Sequence, residues 1–219
     1  ASLMTWTQGF ISMPAEYAIV AALYAIHSYV YRRYDSVPYL SLTSVEPQAG
    51  KTTMLRTICA LADNGDYSAD PTKATLFAKI ENAYELDRNV TIGWDECEKA
   101  SRESDERREI INSGYVSDGK VERIKRNAAP GESKIEIMRT YCPKLLSGIG
   151  SLAPTIKDRS IMLLMRHGKA SRRADISMIK REARDLQNDI RAVVASSFPV
   201  KSATLQIAEC KWIESREYE

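Results

Sequence analysis

The segment that most restricts the fold is residues 39–55, "YLSLTSVEPQAGKTTML". Apolar and polar residues alternate from Tyr39 to Ser44, which predicts a strand. Gly50-Lys51-Thr52 follows a short loop, and a helix is expected from about Lys51 to Ala62, stopped at "DNG". A phosphate-binding loop is built this way. Backbone N–H groups at a helix N-terminus face anionic oxygens, a lysine reaches the β/γ-phosphates, and a hydroxyl serves magnesium. Val45 stands where the simplest pattern has its first glycine. Only the glycine nearest the phosphates is demanded by close backbone approach, and Pro47 can set another path into the loop. The candidate nucleotide-binding residues are therefore Pro47, Gln48, Ala49, Gly50, Lys51, Thr52 and Thr53. The competing reading is an ordinary strand-to-helix turn.

A second motif weighs against that competitor. "NVTIGWDE" (89–96) is an apolar strand ending in Asp95-Glu96. ATP hydrolysis asks for such a pair: one carboxylate for the magnesium shell, the next to orient and deprotonate the attacking water. The spacing between the motifs holds a helix, a short strand at "DYSAD" and a helix from Pro71 to about Leu86. That order matches the P-loop class with an additional strand and a catalytic glutamate. Ser147, on the strand "KLLSGIG", would sit beside the γ-phosphate as a polar sensor if that strand is central; otherwise it is a buried hydroxyl bonded to its own backbone. Arg159, in "TIKDRSI", lies where P-loop motors place an arginine that reaches a neighbouring subunit's ATP. Its alternative is a salt bridge to Asp158 or Glu96.

The remaining pattern completes an α/β reading: a helix from Pro14 to about Arg33, strands at 119–141 (a hairpin) and 159–166, and a long helix from Ser171 to Ser197 with Ile176, Ile179, Ala183, Leu186, Ile190 and Val193 on one face. Strands alternating with helices imply a mostly parallel sheet covered on both faces. The expected architecture is a P-loop NTPase three-layer sandwich, AAA+-like. An N-terminal helix (1–35) packs on a core at 36–168, followed by a helical lid or C-terminal segment at 169–219. The four scattered cysteines form no CxxC pair, which argues against structural zinc or a disulfide scaffold and fits a reducing cytoplasm. The longest apolar stretch, Ala18 to Ile26, is too short to span a bilayer, so no membrane partner is expected.

The run "YLSLTSVEPQAGKTTML…WDECEKA…EIINSGYVSDGKVERI…CPKLLSGIGSLAPTIKDRSIMLLMR" resembles domain of unknown function 3631. That family comprises P-loop ATPase domains of phage, plasmid and mobile-element proteins, often beside primase or helicase modules. The likeness covers roughly residues 14–168, and "INSGY" and "GIGSLAPTIKDRSI" are its most specific pieces. It implies an ATP-driven, ring-forming machine, hexameric or otherwise, that acts on DNA, with a primase or other replication module in a longer chain. By position it makes Lys51 and Thr52 the Walker A pair, Asp95 and Glu96 the Walker B pair, and Arg159 the finger. Trp94 departs from the more aliphatic strand end expected there.

The hairpin is the candidate nucleic-acid contact. Lys120, Arg123, Lys125, Arg126, Lys134 and Arg139 give it a basic excess, although Glu122, Glu132 and Glu136 temper it. Summed around a ring, such contacts would give sequence-independent, salt-sensitive binding. The bland alternative is an edge hairpin kept soluble by its charges. The sequence thus predicts a magnesium-dependent ATPase using ATP, a DNA-acting motor or replicative helicase type. A nucleotide-gated switch acting on a protein partner is the main alternative. A small-molecule P-loop kinase comes third, since it has little need of Glu96.

Overall fold

The computed structural model describes residues 2–97, 107–124, 135–149 and 153–197. Helices α1 (Leu3–Phe10) and α2 (Ala15–His27) lead into strand β1 (Tyr39–Ser44) and helix α3 (Lys51–Leu61). Strand β2 (Gly65–Ser68), helix α4 (Lys73–Glu85) and strand β3 (Thr91–Trp94) follow. After α5 (Arg108–Ser113) come the antiparallel pair β4 (Lys120–Ile124) and β5 (Ile135–Arg139), then β6 (Lys144–Ile149). The short α6 (Pro154–Lys157), β7 (Ser160–Leu164) and α7 (Ile176–Ser197) close the chain.

Five parallel strands form one sheet in the order β2-β3-β6-β1-β7. β6 is inserted between β1 and β3, so the strand leading to the Gly-Lys-Thr loop and the strand leading to Asp95-Glu96 are not neighbours. Parallel strands covered on both faces read as near-continuous apolar runs, and the central strands β1, β3 and β6 are buried along almost their whole length. One face carries Leu40, Leu42 and Leu145 against α1, α2, α3 and α7; the other carries Tyr39, Ile92, Trp94 and Leu146 against α4, α5 and α6. The result is a three-layer mixed α/β arrangement. Among the described residues no single helix is long and apolar enough to cross a membrane.

Several boundaries differ from the sequence reading, each for a local reason. The N-terminal region is two helices rather than one. Ser2 caps α1 by accepting from the Thr5 N–H, and α2 ends at His27 before a 3₁₀ turn at Tyr31–Arg33. α4 begins at Lys73, because the Thr72 hydroxyl caps the Thr75 N–H. α7 begins at Ile176 rather than Ser171: the Arg172 N–H and the Ser171 hydroxyl both donate to the Gly9 carbonyl, tying that stretch to α1. The charged segment "EKASRESDERREIINSG" (98–114) reads as a helix closed by Gly114; its residues 98–106, and the hairpin's residues 127–133, lie outside the described residues.

Buried phenols make the fold sensitive to alkali. Tyr24 donates to Pro38 and Lys144 carbonyls, Tyr39 to that of Ile111, and Tyr141 to those of Tyr31 and Tyr34. Burial pushes all three above the ordinary tyrosine range. A folded phenol that stays protonated while its unfolded counterpart ionises contributes stability that is intact below pH ~10 and lost above it, about 1.4 kcal/mol per pH unit for each phenol. Lys144, lowered by its burial, works in the opposite sense, but it is one group against three. Urea-unfolding midpoints should therefore fall steeply between about pH 9.5 and 11; a flat profile would show that the phenols ionise in place.

Candidate active site

The phosphate-loop candidate sits at the C-terminal end of β1. Gly50 adopts a left-handed conformation (φ 83°) as N-cap of α3, and Gln48 is also left-handed (φ 60°). No side chain caps this helix, so the first-turn N–H groups of α3 are not consumed by a capping side chain. Their dipole and donors face the concavity of the loop, the environment an oxyanion requires. Lys51 is buried at 9% exposure, and its ammonium donates to the Ser44 hydroxyl at the strand end. Val45 is 86% exposed, whereas Ala49 is buried and belongs to the α3-side core.

Side-chain alternation brings the second motif onto the same face. Ile92 and Trp94 point to the α4 side, which turns Gly93 and then Asp95 toward α3. There the Thr52 hydroxyl donates to Asp95 Oδ2 at 2.7 Å. Asp95 Oδ1 accepts from the Glu96 N–H at 3.1 Å, and the Tyr67 hydroxyl donates to Oδ2 at 3.3 Å. Glu96 is exposed and left-handed (φ 52°), a conformation that costs a non-glycine residue roughly 1 kcal/mol. A hydroxyl and a carboxylate are hard oxygen donors suited to magnesium. Among the described residues no group of three or more His, Cys, Asp or Glu converges to hold a metal. A magnesium ion at Thr52 and Asp95 would thus draw its other ligands from phosphate and water.

Ser147 lies in β6, between the strands bearing the two motifs, and pairs in register with Leu42. Leu145 belongs to the α3-side core, so Ser147 faces that side too. Its hydroxyl is fully buried and has no hydrogen-bond partner among the described residues, which sets aside the expected bond to its own backbone. Arg159 precedes β7 at the N-terminal end of the sheet, opposite the Gly-Lys-Thr loop. Neither expected ion pair forms. Its guanidinium donates to the Asn112 carbonyl at 2.7 Å and lies over the Tyr115 ring at 4.3 Å.

The hairpin divides its basic residues. Strand alternation puts Lys120, Glu122 and Ile124 on one face, and Val121 and Arg123 on the other. Lys120 pairs with Glu122 at 3.2 Å and faces Arg139 across the strands, while Arg123 lies over Phe77 of α4 at 4.4 Å. Lys125 and Arg126 lie outside the described residues.

Two features escaped the sequence reading. A cavity of about 310 Å³ opens between Val45, Glu46 and Ala49 and the chain leaving β7 (Leu164 to His167). That exit also walls a second cavity of about 450 Å³, closed by Ser12, Pro14 and Tyr17. The expected N-terminal helix starts at Pro14 and includes no α1, so the sequence pattern does not mark the α1–α2 linker. The other feature is Tyr67, whose short, half-buried strand carries no distinctive pattern.

No family model matches the chain, and no curated protein matches it. A solved structure of JCV helicase, in complex with a thiazolopyridine-bearing acetamide, is similar to it at 15% identity, with a TM-score of 0.45, over 90% of this chain and 55% of that one. The chain spans about half the length of that structure.

Proposed function

We propose that this chain is a magnesium-dependent ATPase domain of an oligomeric DNA-acting motor, a replicative helicase type, from a phage or mobile element. The observation that carries the ATPase reading is the 2.7 Å contact between Thr52 and Asp95. It joins the helix opening on Gly-Lys-Thr to the strand end bearing Asp95-Glu96, although β6 separates the two strands.

In this reading the loop amides and Lys51 bind the β- and γ-phosphates, the lysine exchanging the Ser44 hydroxyl for phosphate oxygen. Thr52 and Asp95 hold magnesium, which when bound neutralises charge on the phosphate oxygens. Glu96 takes the proton of the attacking water, and the unpartnered Ser147 hydroxyl reports on the γ-phosphate. The cavity beside the loop receives the nucleoside. Arg159, at the far end of its own sheet, acts on a neighbour's nucleotide, after leaving Asn112 and Tyr115. The DNA-acting part rests on the likeness to domain of unknown function 3631 and on the exposed Lys120–Arg139 pair of the hairpin.

Three measurements test this. Lys51→Ala should weaken both ATP and inorganic tripolyphosphate by about 10–100-fold, the worth of a charge-assisted hydrogen bond. Equal binding to wild type and variant would remove the phosphate-loop assignment. Single- or double-stranded DNA should stimulate ATP turnover, and Lys120→Ala with Arg123→Ala should abolish the stimulation. Turnover indifferent to DNA, with no binding at low salt, would instead favour a nucleotide-gated switch. The mass of the protein should rise to that of an oligomer with a non-hydrolysable ATP analogue.

A further inference from the structure

Three donors converge on Asp95: the Thr52 hydroxyl and the Tyr67 hydroxyl on Oδ2, and the Glu96 N–H on Oδ1. Of these, Thr52 is the one that a bound metal would also engage. The other two orient the carboxylate whether or not metal is present. Tyr67 comes from β2, the strand beside β3, where it pairs in register with Gly93. On that face Gly93 is followed, one alternation further and just past the end of β3, by Asp95. A Cβ at position 93 would lie 2.3 Å from Cys59 Sγ, so α3 sits close over this point and no side chain of β3 intervenes between Tyr67 and Asp95.

Tyr67 is itself held from above. The Arg56 guanidinium lies over its ring, 4.3 Å from the centroid. Arg56 is one helical turn after Thr52, on the same side of α3. One face of α3 therefore reaches Asp95 twice, directly through Thr52 and indirectly through Arg56 and Tyr67. A cation over a phenol ring is attracted to its face and also stabilises charge drawn onto the oxygen, which makes the hydroxyl a stronger donor.

We propose that Tyr67 is a positioning residue for the metal-holding carboxylate: stacked under Arg56, it fixes Asp95 and so sets the affinity of the nucleotide complex for its divalent cation. This rests on the reading of Thr52 and Asp95 as a magnesium–nucleotide site. Hydrogen-bond partners of a metal's ligand commonly govern affinity as strongly as this.

The test is Mn²⁺ binding to the full chain with saturating ADP, read from the electron paramagnetic resonance signal of unbound Mn²⁺. Tyr67→Phe should raise the Mn²⁺ Kd by about 10-fold, with ADP affinity in the absence of metal unchanged. Turnover of ATP in the same variant should be low at limiting magnesium and recover at high magnesium. Arg56→Gln should shift the Mn²⁺ Kd in the same direction by a smaller factor. Wild-type Mn²⁺ affinity in Tyr67→Phe overturns the proposal; should that variant not fold, wild-type affinity in Arg56→Gln does so. If the wild-type protein binds no Mn²⁺ with ADP, the magnesium-site reading fails first and the proposal falls with it, a result that no Tyr67 variant is needed to obtain.

Discussion

On the proposed function, Glu96→Gln should lower ATP turnover by about 10²–10⁴-fold, the range a positioned general base contributes, while ATP binding should persist. The substitution removes the charge and keeps the backbone contact to Asp95. Glu96 is exposed, and its backbone N–H, rather than its carboxylate, is the group that bonds Asp95 Oδ1. Glutamine has the same length, places the same demand on the left-handed backbone at φ 52°, and leaves Asp95 its backbone partner. Stability should move by less than about 0.5 kcal/mol, as for exposed substitutions generally. The informative comparison is kcat against affinity for a fluorescent ATP analogue. A fall in kcat alone assigns Glu96 to the water; turnover within threefold of wild type, about 0.7 kcal/mol, would show that the carboxylate is no base and would sink the hydrolase reading.

The parts of this site visible in the sequence are those whose chemistry is local. Lys51 and Thr52 are fixed to one helix start by adjacency, and Asp95 and Glu96 end an apolar run that can only be a buried strand. The strand bounds of β1 follow from alternation within "YLSLTS". What adjacency cannot state is which strand lies beside which. The insertion of β6 between β1 and β3 decides that Ser147, not a residue of β1, flanks Asp95, and that order emerges only when the sheet assembles. Arg56 and Tyr67 were illegible for the same reason. The spacing of Thr52 and Arg56 on one helix face was readable, but nothing in "GDYS" marks its tyrosine as aimed at a carboxylate on the next strand. Arg159 shows the opposite failure. Its neighbours in sequence suggested an acidic partner, whereas packing supplied a carbonyl and an aromatic ring.

Lys144→Met costs about 3 kcal/mol of stability and leaves nucleotide affinity unchanged. Lys144 opens β6 and is 1% exposed, yet it carries an amine into the core. Its Nζ donates to the carbonyls of Thr140 at 2.7 Å and of Gly114 and Cys142 at 3.2 Å, and lies 5.3 Å from the centre of the Tyr39 ring. Methionine fills similar space but donates nothing. Each carbonyl stripped of this donor costs about 1–3 kcal/mol if water cannot replace it. Against this, the variant no longer buries an ammonium, a cost visible in the lowered lysine pKa, so the net loss is less than the sum over three carbonyls. The same latch explains "INSGY". A Cβ at Gly114 would lie 2.3 Å from Nζ and 2.4 Å from the Thr140 carbonyl oxygen, so only glycine lets the turn close on the lysine. Arg159 grips the turn two residues earlier, at Asn112. All of this occurs at the N-terminal end of the strands, whereas Lys51 and Asp95 lie at the C-terminal end. Separation along the strands is what uncouples the effects: urea unfolding should show a lower midpoint with unchanged slope, and the fluorescent ATP analogue should bind the folded variant as it binds wild type. A loss below about 1 kcal/mol would mean that water reaches the carbonyls. Lost nucleotide binding at full stability would mean that the latch governs the site along β6.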